Sequence, residues 1–321
     1  GLIGTCWATL FVSAGYTVYL YDISQNQLES SKETILKKLQ TLINDGLSRG
    51  DVTVAVAQKR IRTTLTLSEA MIDAIYAQES TCEDVEFKRK IFAEMDLWAS
   101  SVTILASSTS TIPASTFTES LSHRSQSLVA HPINPPLYLT LVEVVPAPWT
   151  SDAVVRRTYE IMKDIGQEPV RLHHEVLGFA VNRLQYALLA EAWRLVGSNV
   201  LSPEDIDKVS RISHLLSYKF LQEVSFQVMI AGLGPRYAIH GPLQTVHLNA
   251  NGIRDYFFRY GEGIRRVLVD FGPTPTFKEA DVLEKLESSL NKSMPLDQLR
   301  TRKAERERNL VLLKSLKKKM E

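Results

Sequence analysis

Four residues have the types and the order needed to take a proton from an alcohol. Ser110, His131 and Glu143 lie in I-L-A-S-S-T-S, A-H-P-I-N-P-P and L-V-E-V-V-P, and Asn182 follows in G-F-A-V-N-R-L. An imidazole can accept a hydroxyl proton near neutral pH, and a carboxylate behind it fixes which ring nitrogen carries the hydrogen. Two neutral polar groups, Ser110 and Asn182, can then hold the substrate oxygen. Taken singly, each residue has an ordinary explanation: a serine turns a chain, and a lone histidine is more often structural. Glu143 is harder to dismiss, because a charged side chain inside an otherwise apolar strand is costly unless paired. His131 would remove that cost, in a catalytic pair or in a purely structural one.

These residues need a frame. The chain opens G-L-I-G, continues T-C-W-A-T-L-F-V-S-A-G as a helix ending at Gly15, and then runs Y-T-V-Y-L-Y-D as a strand with Asp22 at its end. Gly1 and Gly4 match the second and third glycines of the dinucleotide-binding fingerprint, and the strand and glycine that open that fingerprint are absent. The helix N-terminus after Gly4 would face a pyrophosphate with free N–H groups and a favourable dipole, with Gly1, Leu2, Ile3 and Gly4 as cofactor contacts. Asp22, about twenty positions past the glycines, would accept from a ribose hydroxyl and disfavour a 2′-phosphate, which points to NAD rather than NADP.

Residues 24–76 are mostly helical and polar by pattern, with an apolar stripe at Leu28, Ile35, Leu36, Leu39 and Leu42, and a short helix capped by Ser68. A strand should end in A-I-Y-A-Q-E-S. Residues 83–96 form a helix with acid–base pairs such as Glu86 and Lys90. The strand S-V-T-I-L-A would release Ser110 at its carboxyl end, where ligands of doubly wound sheets sit. S-L-V-A leads to His131 in a loop stiffened by Pro132, Pro135 and Pro136, and T-L-V-E-V-V-P carries Glu143. A capped helix ending at Gly166 and the strand E-P-V-R-L follow. From about Gly178 the patterns are helical. The fold class expected is α/β, a doubly wound, Rossmann-type parallel sheet lacking its first strand over residues 1–172, then an all-α domain over 173–321.

S-S-T-S, A-H-P-x-N-P-P, L-V-E-x-V-P and G-F-x-x-N-R-L, in that order, resemble the 3-hydroxyacyl-CoA dehydrogenase family. The resemblance runs from Gly1 to about Phe277. It implies an NAD-dependent dehydrogenase in which His131 is the base, Glu143 orients it, and Ser110 and Asn182 bind the substrate oxygen. It also implies cofactor contacts at Glu83, Lys88 and Asn134, with solvated helix charges as the alternative for Glu83 and Lys88, and a homodimer through the helical domain. N-R-L-Q-Y-A with E-A-W-R-L-V, and R-Y-A-x-x-G-P-L with H-L-N-A-x-G, resemble the branch that oxidises L-gulonate at C3 to 3-dehydro-L-gulonate. Arg236 stands where acyl-CoA members tend to be apolar, and would grip a carboxylate with its planar fork or pair with an acidic neighbour. A short-chain 3-hydroxyacyl-CoA is the alternative substrate. A non-catalytic structural protein on the same scaffold is a reading of another class, favoured by the missing first strand and opposed by the four site residues. Residues 211–230, R-I-S-H-L-L-S-Y-K-F-L-Q-E-V-S-F-Q-V-M-I, have no counterpart in the family pattern.

Composition bounds these readings. A chain of 321 residues is long enough for two cored domains, and 44% hydrophobic with 23% charged residues is ordinary for a globular protein. A net charge of +1 gives no electrostatic case for nucleic acid or a membrane surface. The basic C-terminal stretch has acids interspersed, and its Leu310, Leu312, Leu313 and Leu316 suggest docking on the chain itself or a sister subunit. Two cysteines, Cys6 and Cys82, make no disulfide framework and suit a reducing, cytoplasmic setting. No signal peptide or membrane-length apolar run is visible, and the chain opens at Gly1 rather than Met. His173 and His174 are adjacent with no third ligand at metal spacing, so no metal site is expected.

Overall fold

The computed structural model describes residues 1–207, 209, 232–240, 242–272, 280, 284, 291, 295–298 and 301. Two compact units are present, Gly1–Asn182 and Arg183–Glu321.

The first unit alternates strands and helices. Its strands are β1 (Val18–Tyr21), β2 (Ile61–Thr64), β3 (Tyr76–Glu79), β4 (Ile104–Ser107), β5 (Ser127–Pro132), β6 (Leu141–Pro146) and β7 (Glu168–Arg171). Its helices are α1 (Leu2–Ser13), α2 (Gln25–Asn44), α3 (Val54–Arg60), α4 (Leu67–Met71), α5 (Val85–Trp98), α6 (Ser115–Thr118) and α7 (Asp152–Asp164), and α8 (Val181–Gly197) begins at its end. β1 and β2 pair in one sheet, and β3 to β7 pair in chain order in a second. Helix α1 packs against both β1 and β3.

In both sheets the pairs are parallel, as expected for a doubly wound fold, except that β5 and β6 are antiparallel. Residues 133–140 join them, fewer than the dozen or so that a parallel crossover needs. β2 was not expected in the stretch read as mostly helical. It is a four-residue run, Ile-Arg-Thr-Thr, in which three residues are β-branched, squeezed between α3 and α4. Two smaller expectations also shift. Helix α4 follows Thr66 rather than being capped by Ser68, and Glu86 pairs with Arg89 one turn on rather than with Lys90.

Period-two alternation sorts the strands between two cores. Ile104, Ala106, Leu128, Ala130, Val142 and Val144 face Cys6, Trp7 and Leu10 of α1 and Ile161 and Met162 of α7. Leu105, Val129 and Val145 face Phe92 and Met95 of α5, Phe117 and Phe179. Burying each such large side chain contributes about 1.5–3 kcal/mol. Local signals set the helix starts: the Ser24, Asp84 and Ser151 side chains accept from the amides of Gln27, Phe87 and Val154.

The second unit is helical in its described part, with helices at Gly234–Ile239, Pro242–Leu248 and Ile253–Val269. Tyr186, Leu189, Val246, Tyr256, Ile264 and Val267 form its core. The 211–230 segment and the leucines at 310–316 lie outside the described residues. Among the described residues no helix is long and apolar enough to cross a membrane, and no group of three or more His, Cys, Asp or Glu is placed to hold a metal.

Candidate active site

The antiparallel register of β5 and β6 sets His131 directly opposite Glu143. By strand parity both lie on the sheet face of Val129 and Val145, toward α5 and Phe179. His131 Nδ1 is 2.8 Å from Glu143 Oε2, and both residues are buried. The other carboxylate oxygen, Oε1, accepts from the backbone amides of Ala180 at 2.7 Å and Val181 at 2.9 Å. These two amides open α8, so the negative charge sits at a helix N-terminus. Since the carboxylate acts as acceptor at both oxygens, Nδ1 of His131 carries a hydrogen, and in the neutral imidazole the lone pair is then on Nε2.

The approach to α8 is bent to make this contact. Gly178 and Phe179 both have left-handed backbones, with φ of 75° and 50°. For phenylalanine that conformation costs on the order of 1–3 kcal/mol. Phe179 is fully buried in the sheet-face core, and its ring centroid lies 5.8 Å from that of His131. Apolar burial and the two amide bonds to Glu143 offset the strain.

Ser110 is exposed in the loop leaving β4 and is held through its backbone from two sides. Its carbonyl accepts from Asn182 Nδ2 at 2.6 Å. Its amide donates to Glu83 Oε1 at 2.9 Å, and the same oxygen accepts from Thr109 Oγ1 at 2.6 Å and the Thr111 amide at 3.3 Å. Lys88 is not a solvated helix charge: with 1% side-chain exposure it lies 3.0 Å from both oxygens of Glu79 and 3.7 Å from Glu83 Oε2. Burial acts to raise the Glu79 pKa, but the Lys88 ammonium, the Ser107 hydroxyl and the Thr81 hydroxyl and amide outweigh it and hold the carboxyl below its usual range.

The sequence reading missed Glu79, Thr109 and Phe179. A signal for the first was present. Lys88, Phe92 and Met95 are the buried residues of α5, spaced four and three apart, so the helical stripe turns Lys88 inward and requires an acidic partner.

At the other candidate sites the geometry is simpler. Thr5 N–H makes the first internal bond of α1, to the Gly1 carbonyl at 3.0 Å, so the amides of Leu2, Ile3 and Gly4 point out of the helix end. That first turn has no side-chain cap and no acidic residue, and a Cβ on Gly1 would meet nothing within 4 Å. Asp22 follows β1 directly, and one of its oxygens accepts from Ser24 N at 3.0 Å. Asn134 lies three residues past His131, in the loop after β5. In the second unit, Arg236 Nη1 donates to Gln185 Oε1 at 3.3 Å, and burial lowers the guanidinium pKa.

The family model for the 3-hydroxyacyl-CoA dehydrogenase NAD binding domain matches residues 1–176, and that for the C-terminal domain matches residues 178–222. The chain belongs to the 3-hydroxyacyl-CoA dehydrogenase family. The lambda-crystallin homolog of Bos taurus is 44% identical over 99% of this chain and 93% of its own length. Lambda-crystallin of Oryctolagus cuniculus is 41% identical over 100% of this chain and 95% of its own. Among solved structures, 3-hydroxybutyryl-CoA dehydrogenase from Escherichia coli superposes with a TM-score of 0.68 at 26% identity, over 88% of this chain and 55% of that one. This family member is therefore an NAD-dependent dehydrogenase that oxidises a hydroxy acid. The open helix N-terminus of α1 and the carboxylate at the end of β1 fit the pyrophosphate and ribose of NAD.

Proposed function

We propose that the chain oxidises L-gulonate at C3 to 3-dehydro-L-gulonate. The observation that carries the reaction type is the His131–Glu143 pair, with Glu143 committed as acceptor at both oxygens. His131 Nε2 takes the C3 hydroxyl proton as the C3 hydride leaves, and the imidazolium formed is stabilised by Glu143. Ser110 and Asn182 hold the reacting oxygen. NAD, when bound, would supply the hydride acceptor, placed by residues 1–4, Asp22, Glu83, Lys88 and Asn134.

The substrate assignment rests on Arg236. L-gulonate carries its carboxylate two carbons from the C3 hydroxyl, and a guanidinium can hold a carboxylate by two parallel hydrogen bonds. Gln185, Tyr237 and Tyr256 near it are neutral side chains able to share hydrogen bonds with a bound acid. The helical unit is assigned the homodimer contacts, since its Trp193 and Phe258 are 61% and 90% exposed. The cytoplasm is assigned as the compartment because Cys6 and Cys82 are both free thiols.

NADH formation with L-gulonate and with 3-hydroxybutyryl-CoA tests the reading. Turnover of gulonate, with Arg236→Met raising its KM far more than it alters NAD affinity and Arg236→Lys rescuing only partly, supports it. Turnover of the CoA ester alone would assign the short-chain 3-hydroxyacyl-CoA activity instead. Turnover of neither would favour a non-catalytic role.

A further inference from the structure

Helix α1 meets the sheet through polar contacts as well as apolar ones. The parallel register of β3 and β4 sets Glu79 opposite Ser107, so Ser80 and Ser108 leave the sheet side by side. By strand parity Ser108 follows Ile104 and Ala106 on the face turned to α1, and Ser80 follows Tyr76 and Gln78. Three side chains converge on Ser108. Trp7 Nε1 donates to Ser108 Oγ at 3.1 Å, and Gln78 Nε2 donates to the same oxygen at 2.7 Å. Ser80 Oγ lies 3.0 Å from it. The direction of this last bond follows from the other two. An indole N–H can only donate. The Gln78 NH2 also faces the Ala130 carbonyl at 3.3 Å, while its Oε1 accepts from the Tyr76 hydroxyl at 2.5 Å. Reversing that amide would set its oxygen against a carbonyl. A hydroxyl has one hydrogen and two acceptor sites. Both acceptor sites of Ser108 are taken, so its hydrogen goes to Ser80.

Ser80 therefore accepts, and its own hydrogen remains to be given. Among the described residues Ser80 Oγ has no second partner. Its place says where that hydrogen is of use. A Cβ on Gly4 would lie 3.6 Å from Ser80 Cβ and 4.0 Å from its Oγ, so the serine stands against the first turn of α1. The amides of Leu2, Ile3 and Gly4 open at the same turn. We propose that Ser80 is a further donor of the pyrophosphate subsite of NAD, its hydroxyl oriented by Trp7, Gln78 and Ser108 so that its hydrogen goes to a diphosphate oxygen. Such a bond is charge-assisted, and each bond in the chain behind it strengthens when the last one meets a charge. The proposal concerns the cofactor alone and is independent of which acid is oxidised.

The test titrates the full chain with NAD, ADP and adenosine, which share an adenosine and differ in the diphosphate and the nicotinamide half. Ser80→Ala should raise the Kd of NAD and of ADP alike, by about tenfold or more, the scale of a hydrogen bond to a charged oxygen. The Kd of adenosine should stay within about twofold, since the lost bond is not made to it. Ser80→Thr keeps the hydroxyl and should recover most of the loss. Ser108→Ala leaves the Ser80 hydroxyl in place but unoriented, and should weaken NAD and ADP in the same proportion, by less than Ser80→Ala does. A second readout needs no affinity. The Trp7 indole N–H resonance, assigned with Trp7→Phe, should move when ADP saturates the unaltered chain, because the Trp7–Ser108 bond tightens with the chain. At saturating ADP it should stay in place in Ser80→Ala. Unchanged Kd values in Ser80→Ala, an equal loss for adenosine, a loss for NAD without one for ADP, or the same Trp7 shift in Ser80→Ala as in the unaltered chain would each overturn the proposal.

Discussion

Glu143→Gln removes a charge and almost nothing else, and the surrounding donors dictate how the new side chain must sit. The amides of Ala180 and Val181, at 2.7 and 2.9 Å, can only donate, so they retain the glutamine's carbonyl oxygen. Its NH2 then faces His131 Nδ1. The opposite flip would set donors against donors and leave two buried amides unpaired, at about 1–3 kcal/mol each. Switching the imidazole to its other neutral tautomer is cheaper, so the ring yields. Nδ1 becomes the acceptor, Nε2 carries the hydrogen, and no lone pair meets the substrate hydroxyl. An analogous carboxylate-to-amide change behind a catalytic histidine lowers kcat by about 10⁴. A loss of about 10³- to 10⁴-fold is expected here, or about 4–5.5 kcal/mol of barrier. NAD affinity should be unaltered. Steady-state NADH formation gives kcat, and the imidazole nitrogen shifts in NMR report the tautomer. A Glu143→Gln enzyme within tenfold of the unaltered kcat, or one with Nδ1 still protonated, would refute the reasoning.

The same geometry implies other outcomes. His131→Gln should lower kcat by roughly two to four orders of magnitude, the range for loss of a general base, with NAD binding intact by titration. Asp22→Ala should narrow the preference for NAD over NADP, measured as the ratio of kcat/KM values, by removing the carboxylate that repels a 2′-phosphate. Glu79 should make folding sensitive to acid. A carboxyl held below its ordinary value of 4.5 contributes stability that is complete above that value and is lost as pH falls through the lower folded-state value. The acid limb of Tm against pH should therefore be flatter in Glu79→Gln than in the unaltered chain.

Much of the site was legible because its chemistry conflicts with its surroundings. Glu143 lies among leucine and valines, and only a buried partner resolves that. Asn182 opens a helix whose apolar stripe is plain, and Asp22 ends a strand at the distance from the glycines that a ribose contact needs. The antiparallel turn of the chain was also open to inference, from the short link between Pro132 and Leu141, but strand pattern carries no direction. β2 was lost because four residues are too few to show a period against flanking helices. The tie between Glu79 and Lys88 escaped because a lysine in E-F-K-R-K looks solvated until the stripe of α5 is traced inward. Backbone partners such as the amides of Ala180 and Val181 leave no mark in residue types at all.

Every group that wires His131 precedes Arg183. The facing strands, the carboxylate, the bent Gly178–Phe179 link and the two amides that grip Glu143 are all complete before the second unit begins. Beyond that point the relay asks only for one turn of helix. With Arg236 as the proposed substrate residue, the reaction and the choice of substrate would fall in separate stretches of sequence. Substitutions after residue 183 can be sampled, by drift or by directed evolution, without rewriting the proton transfer. A library confined to that half should yield altered acid preferences at a far lower rate of dead enzymes than one spread over the whole chain.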